Sequence, residues 1–207
     1  MAMAVPRHFC GKSFGGMIYL EQQIRSCRGV NTMKSLIIYG SQYGTAKAYA
    51  TKLSEIMEIP CVSYECVKEI MNYEQIIYIG GLYAGGVKGL KNTLRLLKNT
   101  NVKMIIATVG LADVNNKENT DNIKASIAKQ LEKDVLDNSL IFHLRGGIDY
   151  SKLNFKHKTM MKMLYHSLKN KPVENLTQEE KDLIETYNKK VDFVDYHSLN
   201  QIVEVIQ

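Results

Sequence analysis

No apolar run in this chain approaches the roughly 20 residues that a helix needs to cross a bilayer. Four cysteines, Cys10, Cys27, Cys61 and Cys66, form no C-x-x-C pair, and no histidine stands at a metal-ligand spacing from them. Free thiols in a reducing compartment are the simpler reading, which makes the expected location cytoplasmic and leaves no metal site. There is no G-x-G-x-x-G turn and no full G-x-x-x-x-G-K-[ST] phosphate loop, so the dinucleotide fingerprint and triphosphate hydrolysis are set aside. No Ser-His-Asp or Cys-His arrangement stands out either, so hydrolysis has no visible apparatus and no catalytic residue is assigned.

What is present is the composition of an ordinary globular protein, 45% hydrophobic and 23% charged in 207 residues, enough for one sizeable α/β domain. The net charge of +6 is unevenly spread. Residues 1–32 hold Arg7, Lys12, Arg25 and Arg28 against Glu21, which is +3, and leave +3 for the other 175 residues. So small an excess argues against nucleic acid as a partner. The first 32 residues also lack a sustained period, and their one apolar cluster, MIYL, is shorter than a signal-peptide core. They read as a disordered or non-native leader or an over-long start, with a targeting segment as the alternative.

From Met33 the pattern alternates between strand and helix. SLIIY (35–39), IPCVSY (59–64), QIIYIGG (75–81), VKMIIATVG (102–110) and SLIFHL (139–144) are expected strands. Ala46, Tyr49, Ala50, Leu53 and Met57 mark a first helix, and a small helix is expected near Val67–Met71. Val87, Leu90, Leu94 and Leu97 mark another, and Ile123, Ile127 and Leu131 a further one. Five such strands imply right-handed crossovers and a doubly wound α/β parallel sheet, and the missing G-x-G-x-x-G turn favours the order 2-1-3-4-5, whose ligand sits at the carboxyl ends of the first and third strands. A helical insertion, about 151–196, precedes the last helix. Its stretch Asp149–Lys171 holds six lysines and no acid after Asp149. Met160, Met161, Leu164 and Leu168 are expected on one face there, with Lys158, Lys162 and Lys169 outside it. TQEE (177–180) and SLNQ (198–201) both have the capping-box form.

The first turn, YGSQYGTAKAYA (39–50), leaves a strand through small and hydroxyl residues. Unpaired amides and the positive end of the helix dipole suit an anion there, and Ser41 and Thr45 add hydroxyls; the same residues also serve as a plain helix cap. With IGGLYAGGVKG (79–89), TVGLAD (108–113) and HLRGGIDYSKL (143–153), this turn makes the chain resemble the flavodoxin-like family. Within it, the chain is similar to the branch containing menaquinone-dependent protoporphyrinogen IX dehydrogenase. The resemblance covers Met33–Gln207 and implies FMN as cofactor. It implies that Ser41, Gln42, Tyr43, Gly44, Thr45 and Ala46 surround the phosphate. Leu82, Tyr83, Ala84 and Gly85 would line one side of the ring, with Tyr43 or Tyr83 stacking, and Gly110, Leu111 and Ala112 would line the other. Where the family commonly carries a threonine two residues after the glycine, this chain has Ala46, and offers Thr45 one place earlier. A phosphate hydrogen bond moved or lost there is worth about 1.5–3 kcal/mol, which points to weak flavin retention.

Taken by themselves, the glycines at 80, 81, 85, 86 and 89 can also serve a tight βα turn, and Tyr83 a rim position. His143 reads as a packed strand residue, His157 and His166 as part of a solvated basic face, and Met160–Met163 chiefly as core. The functional expectation is an FMN oxidoreductase passing electrons from a substrate such as protoporphyrinogen IX to a quinone. The alternatives are an electron carrier between redox-partner proteins and an interaction protein without cofactor. The basic insertion could meet porphyrin propionates or rest on anionic lipid at the inner face of the membrane.

Overall fold

The computed structural model describes residues 33–83, 86–97 and 102–206. The leader expected at 1–32, with Cys10 and Cys27, and the loop residues Ala84 and Gly85 lie outside the described residues.

The central sheet follows from alternation within continuous apolar runs. Strand β1 (Ser35–Gly40) sends Leu36 and Ile38 into one layer and Ile37 into the other. Strand β2 (Cys61–Ser63) pairs with it in parallel, from Ile37 opposite Cys61 to Tyr39 opposite Ser63. Strand β3 (Gln75–Tyr83) divides Ile76 and Tyr78 from Ile77 and Ile79 in the same way. A short β4 (Gly86–Val87) folds back on the end of β3, and β5 (Lys103–Gly110) and β6 (Ser139–Arg145) complete the parallel sheet. The order is β2-β1-β3-β5-β6, the expected 2-1-3-4-5 once the β4 return is set aside.

Two helical layers cover the sheet. Helix α1 (Thr45–Met57) lays Ala46, Tyr49, Ala50 and Leu53 on one face, where the small residues let it approach closely. It shares that face with α7 (Asn200–Ile206), which contributes Ile202. Helices α2 (Leu90–Leu97) and α3 (Lys117–Ala128) cover the other face with Leu90, Leu97, Ile123 and Ile127, and a short α4 (Lys133–Asp137) leads into β6. Among the described residues, no helix is long and apolar enough to cross a membrane.

The insertion is pinned at its root. Strand β7 (Gly147–Asp149) pairs antiparallel with β8 (Lys190–Asp192), so the chain leaves and returns side by side. Between them run α5 (Phe155–Lys169) and α6 (Gln178–Thr186), the latter opened by the expected capping box of Thr177 and Glu180. These elements share a small core of Ile148, Tyr150, Leu153 and Met161.

Several expectations need correction. No helix forms near Val67–Met71: those residues lie in turns and coil, with Ile70 buried as the anchor. Strand β2 is three residues long, so the return path is only about 10 Å and needs no helix. Ser198 does not cap the last helix; it sits in a 3₁₀ turn (Tyr196–Leu199) whose cap is Asp195, and its hydroxyl donates to the Asp195 carbonyl at 2.5 Å. On α5 the buried residues are His157, Met161 and Leu168, whereas Leu164 is exposed. The buried stripe is rotated toward His157 because the neighbouring Leu153 and Met161 both turn inward.

Gly40 ends β1 where Lys88 crosses above it. A Cβ there would meet the Lys88 carbonyl oxygen at 1.8 Å and the Tyr78 hydroxyl at 2.6 Å, and that hydroxyl donates to the same carbonyl. Gly40→Ala should therefore lower unfolding free energy by about 1–3 kcal/mol in urea titrations. Gly81→Ala, whose Cβ would find nothing nearer than 3.6 Å, should change it by less than about 1 kcal/mol.

Candidate functional site

The carboxyl edge of the sheet is where β1, β3, β5 and β6 all stop, and their loops converge. After β1, Gly44 takes φ 96°, a left-handed conformation open to glycine, and caps α1. No side chain caps this 13-residue helix. The Gly44 amide donates to Ser41 Oγ at 3.0 Å, and a Cβ added at Gly44 would find nothing within 4 Å, so the turn is open on that side. The first-turn amides of α1, with the positive end of its dipole, therefore face a space that suits a small anion.

The hydroxyls are differently placed. Ser41 keeps a proton to donate, while Thr45 Oγ1 donates to the Gly147 carbonyl at 3.1 Å and so ties the turn to the root of the insertion. Ala46 faces the core, 2% exposed, so only its main chain can reach an anion. Gln42 points toward the insertion, with Nε2 3.5 Å from His157 Nε2.

The ring end is built from three strips. Tyr43 and Tyr83 meet edge to face with centroids 6.3 Å apart, and His157 stands 5.7 Å from each. Asn154 fixes His157 by accepting its amide at 2.9 Å as the cap of α5. Tyr83 Oη donates to Met160 Sδ at 3.8 Å, and the Lys88 ammonium lies 5.6 Å over the Tyr83 ring. Leu82 lies against Gly110, where a Cβ would come 2.7 Å from Leu82 Cδ1. Leu111 packs on the insertion core, its carbonyl accepting from Arg145 Nε at 3.2 Å, and Ala112 is buried. The Arg145 guanidinium stacks on Phe193 at 3.9 Å. Ala84 and Gly85 lie outside the described residues.

The residues at the phosphate end fit the phosphate of FMN: an uncapped helix start, a donor hydroxyl and an unobstructed approach. At the ring end the chemistry fits but the space is taken. Tyr43 and Tyr83 offer aromatic surface, and Tyr43 Oη is buried without a hydrogen-bond partner. Leaving such a group unsatisfied costs about 1–3 kcal/mol, so an acceptor arriving beside it would be stabilised. Burial, and then Tyr83, push the Tyr43 phenol up, so it remains a neutral donor. His157, however, occupies the space between the tyrosines. It was expected on a solvated face; Leu153, four residues before it, and Met161, four after, carry the signal of an inward stripe that includes it.

Elsewhere, Cys61 is a poor nucleophile, because burial pushes its thiol up to about 12 despite Lys47 nearby. Among the described residues, no group of three or more His, Cys, Asp or Glu could hold a metal. His143 on β6 is a packed residue, its Nδ1 2.8 Å from Thr108 Oγ1 and its Nε2 buried without a partner. Burial first, and then Lys124, push its pKa down from 6.5 to about 4. The unfolded chain therefore takes up a proton in this window that the folded chain refuses, and stability falls as pH drops from 6.5 toward 4. His143→Gln should flatten that part of the curve when urea midpoints are measured against pH.

The first turn, the β3 and β5 loops and Gly147 all fall inside a stretch that matches a known family. Residues 36–175, well over half of the chain, match the sequence model of the family described as "Flavodoxin domain". No curated protein matches the chain. The fold and the strand order agree with that match, and the chain belongs to the flavodoxin-domain family.

Proposed function

We propose that this chain is a redox protein that binds FMN across the carboxyl edge of its sheet. The observation that carries the reading is the uncapped start of α1 beside Ser41, within the family-matched stretch. The amides of residues 42–46 and the Ser41 hydroxyl would hold the phosphate, while Tyr43, Leu82, Tyr83 and Leu111 would contact the ring. When bound, the flavin supplies one- and two-electron transfer, and the protein's part is to orient it and set its surroundings.

Within that reading we favour an oxidoreductase over a carrier. A strongly acidic surface disfavours the reduced, anionic flavin and steers a carrier to basic partners. This chain is net positive, and α5 carries Lys156, Lys158, Lys162 and Lys169 without an acid. Such a surface suits an acidic substrate such as protoporphyrinogen IX with a quinone as acceptor. The outward side of α5 adds Phe155, 86% exposed, and Met163, 70% exposed, among those lysines. That combination suits the anionic lipid surface in which a quinone is dissolved. The runner-up is an electron carrier for a partner protein with an acidic face.

Titration of the purified chain with FMN should give saturable binding and a yellow complex. Ser41→Ala should weaken FMN roughly 10- to 100-fold, the loss of one charge-assisted hydrogen bond, and leave riboflavin binding unchanged. No heat and no spectral change with FMN at several temperatures would defeat the proposal. In a separate test, wild type should sediment with anionic vesicles, and Lys158→Gln with Lys162→Gln and Lys169→Gln should release it. Equal sedimentation of the two would remove the lipid partner.

A further inference from the structure

The ring end of the site contains a contradiction between chemistry and space. The first turn is open and oriented toward an anion, yet the aromatic surface next to it is covered by α5. His157 stands edge-on between Tyr43 and Tyr83, in contact distance of both, and Met160 accepts the Tyr83 hydroxyl. A phosphate held at the start of α1 directs the rest of its ligand along the carboxyl edge, past Tyr43 toward Tyr83. A flat ring and the His157 imidazole cannot share that space.

We infer that α5 is a gate over this site and that His157 is its bolt, so that a flat, phosphate-bearing ligand enters only when α5 moves off Tyr43 and Tyr83. The inference rests on the FMN reading above, and adds to it which part of the chain moves.

Four features make α5 the part that yields. The insertion's own core is a cluster of four buried side chains, Ile148, Tyr150, Leu153 and Met161, far smaller than the cluster in either layer of the main sheet among the described residues. Opening free energies are lowest where the buried core is smallest. The closed arrangement is also imperfectly satisfied, since Tyr43 Oη, packed against the insertion core, and Tyr150 Oη within that core are both buried without partners. The facing strips, by contrast, cannot retreat, because β1, β3 and β5 are locked in register in the sheet centre. Finally, the hinge points are defined: the β7–β8 pair anchors both ends of the insertion, so α5 can swing while its root stays attached.

The test uses the full chain. Hydrogen exchange is measured across Phe155–Lys169 with and without FMN, and FMN and riboflavin affinities are measured for wild type and for the pair His157→Ala with Met160→Ala. Ser167→Ala, an exposed neutral position on the same helix, serves as control. The gate predicts that FMN raises exchange in α5 at least tenfold. It also predicts that the paired variant binds FMN at least tenfold more tightly than wild type, while the control does not differ. FMN binding with equal affinity in all three chains, and with α5 protection unchanged or increased, would overturn the gate and leave the FMN reading standing. Failure of both wild type and the paired variant to bind FMN would overturn both.

Discussion

A parallel sheet buried on both faces sets the terms for everything else in this molecule. Ile37, Ile77 and Ile105 face one layer while Leu36, Ile76 and Met104 face the other, and neither set can be left in water. Each successive strand must therefore be reached by a crossover that covers a face. The loops at the carboxyl ends are spared that duty. At the end of β1 the chain uses this freedom for a turn with a left-handed glycine and an uncapped helix. Its openness is unusual because most helix starts are closed by a side chain.

That frame was legible in the sequence because it depends on one-dimensional features. Continuous apolar runs of five to nine residues, separated by helical periods, give a doubly wound sheet once the right-handed crossover is assumed, and the missing G-x-G-x-x-G turn selects its order. The helix near Val67 was misread because apolar spacing alone does not reveal that the strand before it is only three residues long. Ser198 was misread for a similar reason: the capping pattern was present, but Asp195 lies upstream and closes the turn first. His157 was missed because a histidine among lysines looks solvated. Its inward direction is set by Leu153 and Met161 together and by the cap at Asn154, none of which is decisive singly.

The candidate site combines two kinds of physics that need not agree. Its phosphate end depends on backbone amides and a dipole, which are fixed by the fold and present whether or not a ligand is bound. Its ring end depends on aromatic side chains, which readily cover one another when nothing else does. The sequence could specify the first directly and the second only as a set of residue types. On the proposed FMN reading, the start of α1 is already in place for a phosphate, whereas the insertion would have to give way for the ring.

The two short strands at the root of that insertion have a further implication. Because β7 and β8 lie side by side, the chain departs from the edge of the sheet and rejoins it through a doorway one hairpin wide. Whatever lies beyond the doorway can lengthen, shorten or be replaced with little strain on the strands behind it, since loop closure costs rise slowly with length. The segment from 150 to 189 is thus a self-contained cassette whose length and content the sheet does not dictate.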